Sequence, residues 1–142
     1  MADSKFTSNV NDIRRRMEKG KRNALTAIGA TAETHTKENI TADDLIDTGR
    51  LRNSITYAAG DYSGIGTYTD NNKKKYSDAK ARNTPKDDEV AIGTNVEYAP
   101  YLELGTKKIA AHHYLKRAVT EHQDEYKKLA VEAIKASINN SQ

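Results

Sequence analysis

An apolar stripe near the start of the chain restricts the folds open to it most strongly. Phe6, Val10, Ile13, Met17, Ala24, Leu25, Ile28 and Ala32 recur at steps of three, four and seven, the spacing of one face of a long α-helix. Such a face needs a partner layer. A second stripe near the other end, Leu115, Val119, His122, Tyr126, Leu129, Ala130, Ala133, Ile134 and Ile138, predicts a C-terminal helix from about His113 to Ile138. Glu121, Glu125, Lys127, Lys128, Glu132 and Lys135 lie on its outer side, and Asn139 to Gln142 are expected to fray. Gly20 and Gly29 interrupt the first stripe at a cost of about 1 kcal/mol each relative to alanine. Either the helix bends there or another backbone packs close.

Between the helices the period changes from helical to alternating. Ile55, Tyr57 and Ala59 alternate with Ser54, Thr56 and Ala58, which predicts a half-buried antiparallel strand. Val90 and Ile92 alternate with Ala91 and Gly93 in a second strand. A helical turn follows, with Pro100 suited to its first position and Gly105 to the place just past its end. Tyr98, Tyr101, Leu102 and Gly105 fall three and four apart, so this turn carries a packing face of two phenol rings and a leucine. We expect Tyr98, Tyr101 and Leu102 to hold it on the sheet. Thr41 to Asp44 read as a cap or turn, and Asp47 as a carboxylate accepting amide protons at the start of a short helix that contains Leu51. The expected class is α+β: a small antiparallel sheet packed against a long N-terminal helix and a C-terminal helix, with an extended loop or hairpin arm.

The arm is the stretch from Gly60 to about Asp88, rich in Gly, Asn, Asp, Ser and Lys and poor in groups to bury. Ile65, Tyr68 and the turn-like Asp70-Asn71-Asn72 favour a hairpin, and residues 60–88 are expected to be a flexible insertion in a single domain spanning 1–142. In an oligomer such an arm would reach a neighbour, with Tyr68, Lys73, Lys74, Lys75 and Tyr76 as its candidate contacts, while the three lysines also fit a phosphate contact or, more simply, a solubilising loop tip.

Composition fits a small structural subunit. The chain has 142 residues, 36% of them apolar, with no Trp and one Phe, and 30% charged. That is enough for one core but a lean one, completed by neighbours. Its 23 basic and 20 acidic residues leave a net charge of +3, too little to imply nucleic-acid binding by itself. The absence of cysteine excludes disulfides and thiolate metal sites. No apolar run approaches the roughly 20 residues that span a bilayer, and the first residues, MADSKFTSNVND, carry no signal-peptide core, so no membrane association and assembly in a cytoplasm are expected.

Catalytic signatures are missing. Adjacent His112 and His113, with Glu97 or Glu103, would point about 100° apart on one helix, and no HExxH-like spacing accompanies them. Gly60, Gly64 and Gly66 belong to no phosphate-binding loop. Ser54 and Ser63 lack a nucleophile elbow, and Asp43, Asp44 and Asp47 are spaced as a cap and turn. No catalytic, cofactor or metal site is expected, and the protein is read as not an enzyme.

Two stretches carry a likeness. Asp47, Thr48, Gly49, Leu51, Ser54 and Ile55 match a D-T-G-x-L-x-x-S-I pattern. Ile92, Gly93, Thr94, Tyr98, Ala99, Tyr101, Glu103, Gly105 and Thr106 match V-G-(T/S)-x-x-x-Y-A-x-Y-x-E-x-G-T. A third block, A-x-P-F-L-x-P-A, is kept as Ala111, Tyr114, Leu115 and Ala118, with His113 and Arg117 where the pattern often has prolines. In wording and order these blocks resemble a family of tail components from long-tailed, lambdoid-type siphophages, which act in the neck as tail-completion or head-tail joining proteins. The resemblance implies a virion protein that forms a homo-oligomer, a hexameric ring, between a head connector or stopper and a tail terminator or tail tube, with genomic DNA passing through the lumen. It implies a structural motif of Asp47, Gly49, Leu51, Ile55, Gly93, Tyr98, Pro100, Tyr101, Leu102 and Gly105. The competing reading is a small nucleic-acid-binding module using Arg14, Arg15, Arg16, Lys19, Lys21 and Arg22 together with Lys73 to Lys75. A solvated helix face near Asp12 and Glu18 is the favoured account of the first of these clusters.

Overall fold

The computed structural model describes the backbone of residues 2–45, 49–59, 62–69, 73–81 and 85–139, and the side chains of these except 2–8, 67–69 and 77–79. The first helix, α1 (Ala2–Ala42), runs unbroken for 41 residues. The helix continues through both glycines, and both mark close approaches. A Cβ on Gly20 would lie 2.9 Å from the Ile134 Cα of the C-terminal helix, and one on Gly29 would enter the ring of Tyr57. In its threonine-rich second half the hydroxyls of Thr34, Thr36 and Thr41 each donate to the carbonyl four residues earlier, so these side chains are satisfied within the helix. There the buried face continues through Thr36 and Ile40, both fully buried.

Alpha1 ends in a Schellman motif. The Leu45 amide donates to the Ile40 carbonyl and the Asp44 amide to that of Thr41, with Asp44 at φ 55°. Leu45 then packs against the Ile40 cluster, the hydrophobic contact that usually accompanies this cap. After Gly49, at φ 78°, comes α2 (Arg50–Ser54), which contains Leu51 as expected. Asp47 lies outside the described residues.

Three strands form the main sheet in the order β2-β1-β5: β1 (Thr56–Ala59), β2 (Tyr62–Ser63) and β5 (Val90–Gly93), both neighbours antiparallel to β1. Contrary to the half-buried expectation, all four residues of β1 are buried. It is the central strand, with α1 set against it through Tyr57 and the chain at Gly64 close on Thr56. A separate antiparallel ladder joins β3 (Gly66–Thr69) to β4 (Lys75–Ala79), with an irregularity between Gly66 and Tyr68. The turn Asp70-Asn71-Asn72 lies outside the described residues.

Helix α3 (Ala99–Leu104) is the short turn after β5, with proline near its start and Gly105 as its C-cap. The C-terminal helix differs from expectation. It is two helices, α4 (Tyr114–Thr120) and α5 (Gln123–Asn139), broken at Glu121-His122. The Ala118 carbonyl, whose partner in an unbroken helix would be the His122 amide, accepts the Tyr126 hydroxyl instead. Alpha5 can therefore follow α1 while α4 lies over the core. That core consists of Ile40, Leu51, Ile55, Val96, Ala99 and Tyr114, with Leu45, Ile92, Tyr98, Leu102 and Leu115 packed around it. The architecture is α+β, with a long N-terminal helix, a small antiparallel sheet and a C-terminal helical region.

Gly29 offers a sign test of the α1–sheet contact. Alanine normally gains about 1 kcal/mol over glycine inside a helix, but here its methyl group would meet a ring already stacked on Tyr62 at 4.7 Å between centroids. Gly29→Ala should therefore destabilise by roughly 1–3 kcal/mol, as overpacking does. Urea melts of Gly29→Ala made in a Tyr57→Val background should show the opposite sign. Stabilisation by Gly29→Ala alone would show that the ring is free to move aside.

Candidate functional site

The three sequence blocks, the first some forty residues from the other two, converge on one side of the core. The first two meet through a buried hydroxyl chain. Val96 N–H donates to Thr94 Oγ1 at 3.1 Å, Thr94 Oγ1 donates to Ser54 Oγ at 2.7 Å, and Ser54 Oγ donates to the Leu51 carbonyl at 2.6 Å. Each buried hydroxyl is thereby satisfied, which makes its burial tolerable. At the surface above them the Arg50 guanidinium grips Glu97 in a two-pronged pair, both contacts 2.8 Å, and lies 5.5 Å from the centre of the Tyr98 ring. Those Arg50 hydrogen bonds hold the Glu97 carboxyl below the usual carboxylate range.

The third block closes over the second. Tyr114, fully buried, donates its hydroxyl to the Ala99 carbonyl at 2.8 Å. Burial pushes that phenol up, and the Glu103 charge adds to the effect. Glu103 accepts the Leu115 and Lys116 amides at 2.9 and 3.0 Å, supplying from α3 the cap that His113, at the start of α4, does not provide. His113 sits in the left-handed region at φ 51°. The loop between the helices folds back on α3: the His112 and His113 amides donate to the Leu102 and Glu103 carbonyls, and Thr106 Oγ1 accepts the Lys108 and Ile109 amides. Asp43, just past α1, accepts Arg117 Nη2 at 2.6 Å and faces His112 Nδ1 at 3.3 Å. Asn39 Nδ2 donates to the Tyr114 carbonyl.

Beside this junction runs an open groove of about 860 Å³. Val90, Ile92, Ala99, Pro100, Leu104, Leu115 and Val119 give it apolar walls, and Glu89, Glu103 and Lys116 are polar points along it. Beta5 ends the sheet here, so its outer edge has no strand beside it among the described residues. Around the groove Leu104 is 71% exposed, Val119 48%, and on the neighbouring surface Tyr101 is 57% exposed.

The motif residues divide accordingly. Leu51 and Ile55 are core, Gly93 is buried, and Tyr98 and Leu102 are partly buried against the core. Tyr101, expected to help hold α3 on the sheet, faces solvent instead, because the face of α3 turned to the core is that of Ala99 and Leu102. Pro100 is exposed at the groove, and Gly49 and Gly105 take positive φ. In the hairpin, Lys73, Lys74 and Lys75 are exposed and the Lys74 ammonium lies 5.1 Å from the centre of the Tyr76 ring, while the Tyr68 side chain is outside the described residues. Of the basic residues on α1, Arg15 and Arg16 pair with Asp12, Lys21 pairs with Glu18, and Arg16 also donates to the Ile138 carbonyl. Sequence reasoning met Thr94 and Tyr114 only as pattern matches, weighed Glu97 only for a metal site and passed over Arg50. Their partners lie 15 to 47 positions away, and only a three-dimensional arrangement could show them. Chemically the junction is a set of fixed contacts around an apolar channel. Ser54, buried and donating to a carbonyl, has no base beside it among the described residues.

A family model for proteins like bacteriophage HK97 gp10, to which a tail-component role is ascribed, matches residues 4–105. The chain belongs to the HK97-gp10-like family. No curated protein and no solved structure matches it. For an HK97-gp10-like chain a structural role in the phage tail follows, with a place in the virion and other virion proteins as partners. The match runs from α1 to the glycine that caps α3. No helix among the described residues is long and apolar enough to cross a membrane.

Proposed function

We propose that this tail component is a neck subunit that completes the tail and joins it to the head. Copies assemble into a ring, a hexamer by the resemblance of its motifs, between the head connector or stopper and the tail terminator or tube, with the genome passing through the lumen. Its work is burial and register rather than chemistry. The observation that carries this reading is the apolar groove next to an open sheet edge, rimmed by exposed Leu104 and Val119. Exposed apolar surface rimmed by polar groups is a mark of protein association, and oligomeric rings repeat one such contact around an axis. The β3–β4 hairpin, with Tyr68, Lys73, Lys74, Lys75 and Tyr76, serves as an arm reaching a neighbouring subunit or ring.

Leu104→Asp with Val119→Asp tests it. Both side chains are about half exposed or more, so the melting curve should stay within roughly 0.5 kcal/mol of the parent. Electron microscopy and light scattering should show rings for the parent chain and monomers for the variant. A phage depending on the variant should accumulate separate filled heads and tails. Rings that form undiminished would remove the groove from the assembly reading. A chain that stays monomeric yet binds duplex DNA with a steep salt dependence, lost on neutralising Lys73 to Lys75, would favour the nucleic-acid-binding alternative.

A further inference from the structure

We infer that the chain carries a transition-metal site, selective for a zinc-like divalent cation, where α1 meets the α4–α5 junction. His35 on α1, His122 at the helix break and Glu125 in the first turn of α5 each place one donor atom within 4.8 Å of the others. His35 Nε2 lies 3.1 Å from Glu125 Oε2, and His122 Nδ1 lies 3.8 Å from the same oxygen. Two imidazoles and a carboxylate, with no thiolate, are the donor set of an open zinc site whose fourth position is taken by water.

A second observation points the same way. The other nitrogen of His35, Nδ1, faces Glu38 Oε2 at 3.4 Å. A histidine that ligates a metal almost always gives its remaining ring N–H to such an acceptor, which fixes the tautomer and leaves the opposite lone pair for the ion. Glu38 therefore stands as the outer carboxylate that presents His35 Nε2. The site is sheltered without being closed: His35 is only 16% exposed, whereas His122 and Glu125 are 30% and 45% exposed. Tyr126 walls one side, its ring about 6 Å from both imidazoles.

The two imidazoles lie face to face, 3.5 Å apart and within 1° of parallel. Their lone pairs then lie in two parallel planes and do not converge on one point. A shared ion needs one ring to turn about its Cβ–Cγ bond, and His122, the more exposed of the two, is the one that turns. Bound there, the cation would staple α1 to the break that aims α4, and so fix the wall of the groove to which Val119 belongs. His35 lies 90 positions from Glu125 along the chain, which is why spacing along the sequence gives no hint of the set.

Isothermal titration of the full chain with zinc chloride, alongside cobalt(II) titration followed in the visible, tests the site. One ion per chain and the strong visible bands of four-coordinate cobalt are expected. His35→Gln and His122→Gln should lose roughly 100-fold or more in affinity, and Glu38→Gln about 10-fold, the usual effect of an outer carboxylate. Glu125→Gln, at a half-exposed position, should abolish the cobalt bands in a chain that stays folded, so the site is testable even if a histidine variant fails to fold. His112→Gln with His113→Asn should bind zinc as the parent does. Loss of binding in that control, unaltered binding in Glu125→Gln, or no zinc uptake by the parent would each overturn the assignment. None of these measurements depends on ring assembly, so a failure here leaves the assembly reading untouched, and the reverse holds too.

Discussion

Tyr114→Ala should be the most destabilising single change in this protein. The side chain is completely buried, it stands among Ile40, Leu51, Ile55, Val96 and Ala99, and its hydroxyl satisfies the Ala99 carbonyl. Emptying an aromatic site of this kind costs about 3–5 kcal/mol, and at this chain length a melting midpoint should fall by roughly 10 °C or more. Tyr114→Phe isolates the polar part. It keeps the ring but leaves the Ala99 carbonyl without its donor, at a cost of about 1–3 kcal/mol. Thermal melts of the two variants should rank alanine well below phenylalanine, and phenylalanine below the parent. A phenylalanine variant as stable as the parent would mean that water or another donor replaces the hydroxyl, and that α4 is held by packing alone. Because Tyr114 joins the block after α3 to the motif helix itself, the alanine variant should lose ring assembly together with the fold, whereas Leu104→Asp with Val119→Asp should lose the ring and keep the fold.

Gly105→Ala should rank next. Its φ of 79° with ψ of 168° is not the left-handed helical conformation of a common helix cap but an extended one that almost only glycine adopts. The strain for alanine is on the order of 1–3 kcal/mol. Space makes matters worse: a Cβ there would lie 2.8 Å from the Ala111 amide nitrogen and 3.0 Å from the Ile109 carbonyl oxygen. These are backbone atoms, fixed by the hydrogen bond that the Thr106 N–H donates to the Ile109 carbonyl and by the Thr106 hydroxyl accepting the Ile109 amide. Overpacking of this type adds roughly 1–3 kcal/mol, so a total of several kcal/mol is expected. Denaturant titration would measure it. Hydrogen exchange should localise the damage, with the amides of residues 106–113 losing protection first and those of the α1–α5 pair last. Uniform loss across the molecule would show that the 105–113 loop and the helix pair unfold as one unit.

Periodicity made much of this architecture legible in advance. Both helical stripes, the strands at 55–59 and 90–93, the short helix after Pro100 and the turn near Asp44 all follow from side-chain spacing and cap chemistry, which act over a few residues and are therefore written locally. The stripe on α1 still overstated burial. Val10, Ile13 and Met17 share the apolar face yet are 39–49% exposed, because periodicity tells which residues could face a partner and not how far along the helix that partner reaches. Tertiary contact also decided the two glycines. Gly20 and Gly29 were compatible with a bend or a close neighbour, and the neighbours, α5 and the Tyr57 ring, come from elsewhere in the chain. The same holds for the break at Glu121-His122, where a phenol replaces a backbone amide at the Ala118 carbonyl, and for the inward turn of β1 on both faces. The candidate site lay furthest from the reach of local reasoning. Ser54 with Thr94, Arg50 with Glu97, Glu103 with α4 and His35 with His122 are pairings across the fold, and a pairing between distant residues has no period; it exists only once the chain has closed on itself.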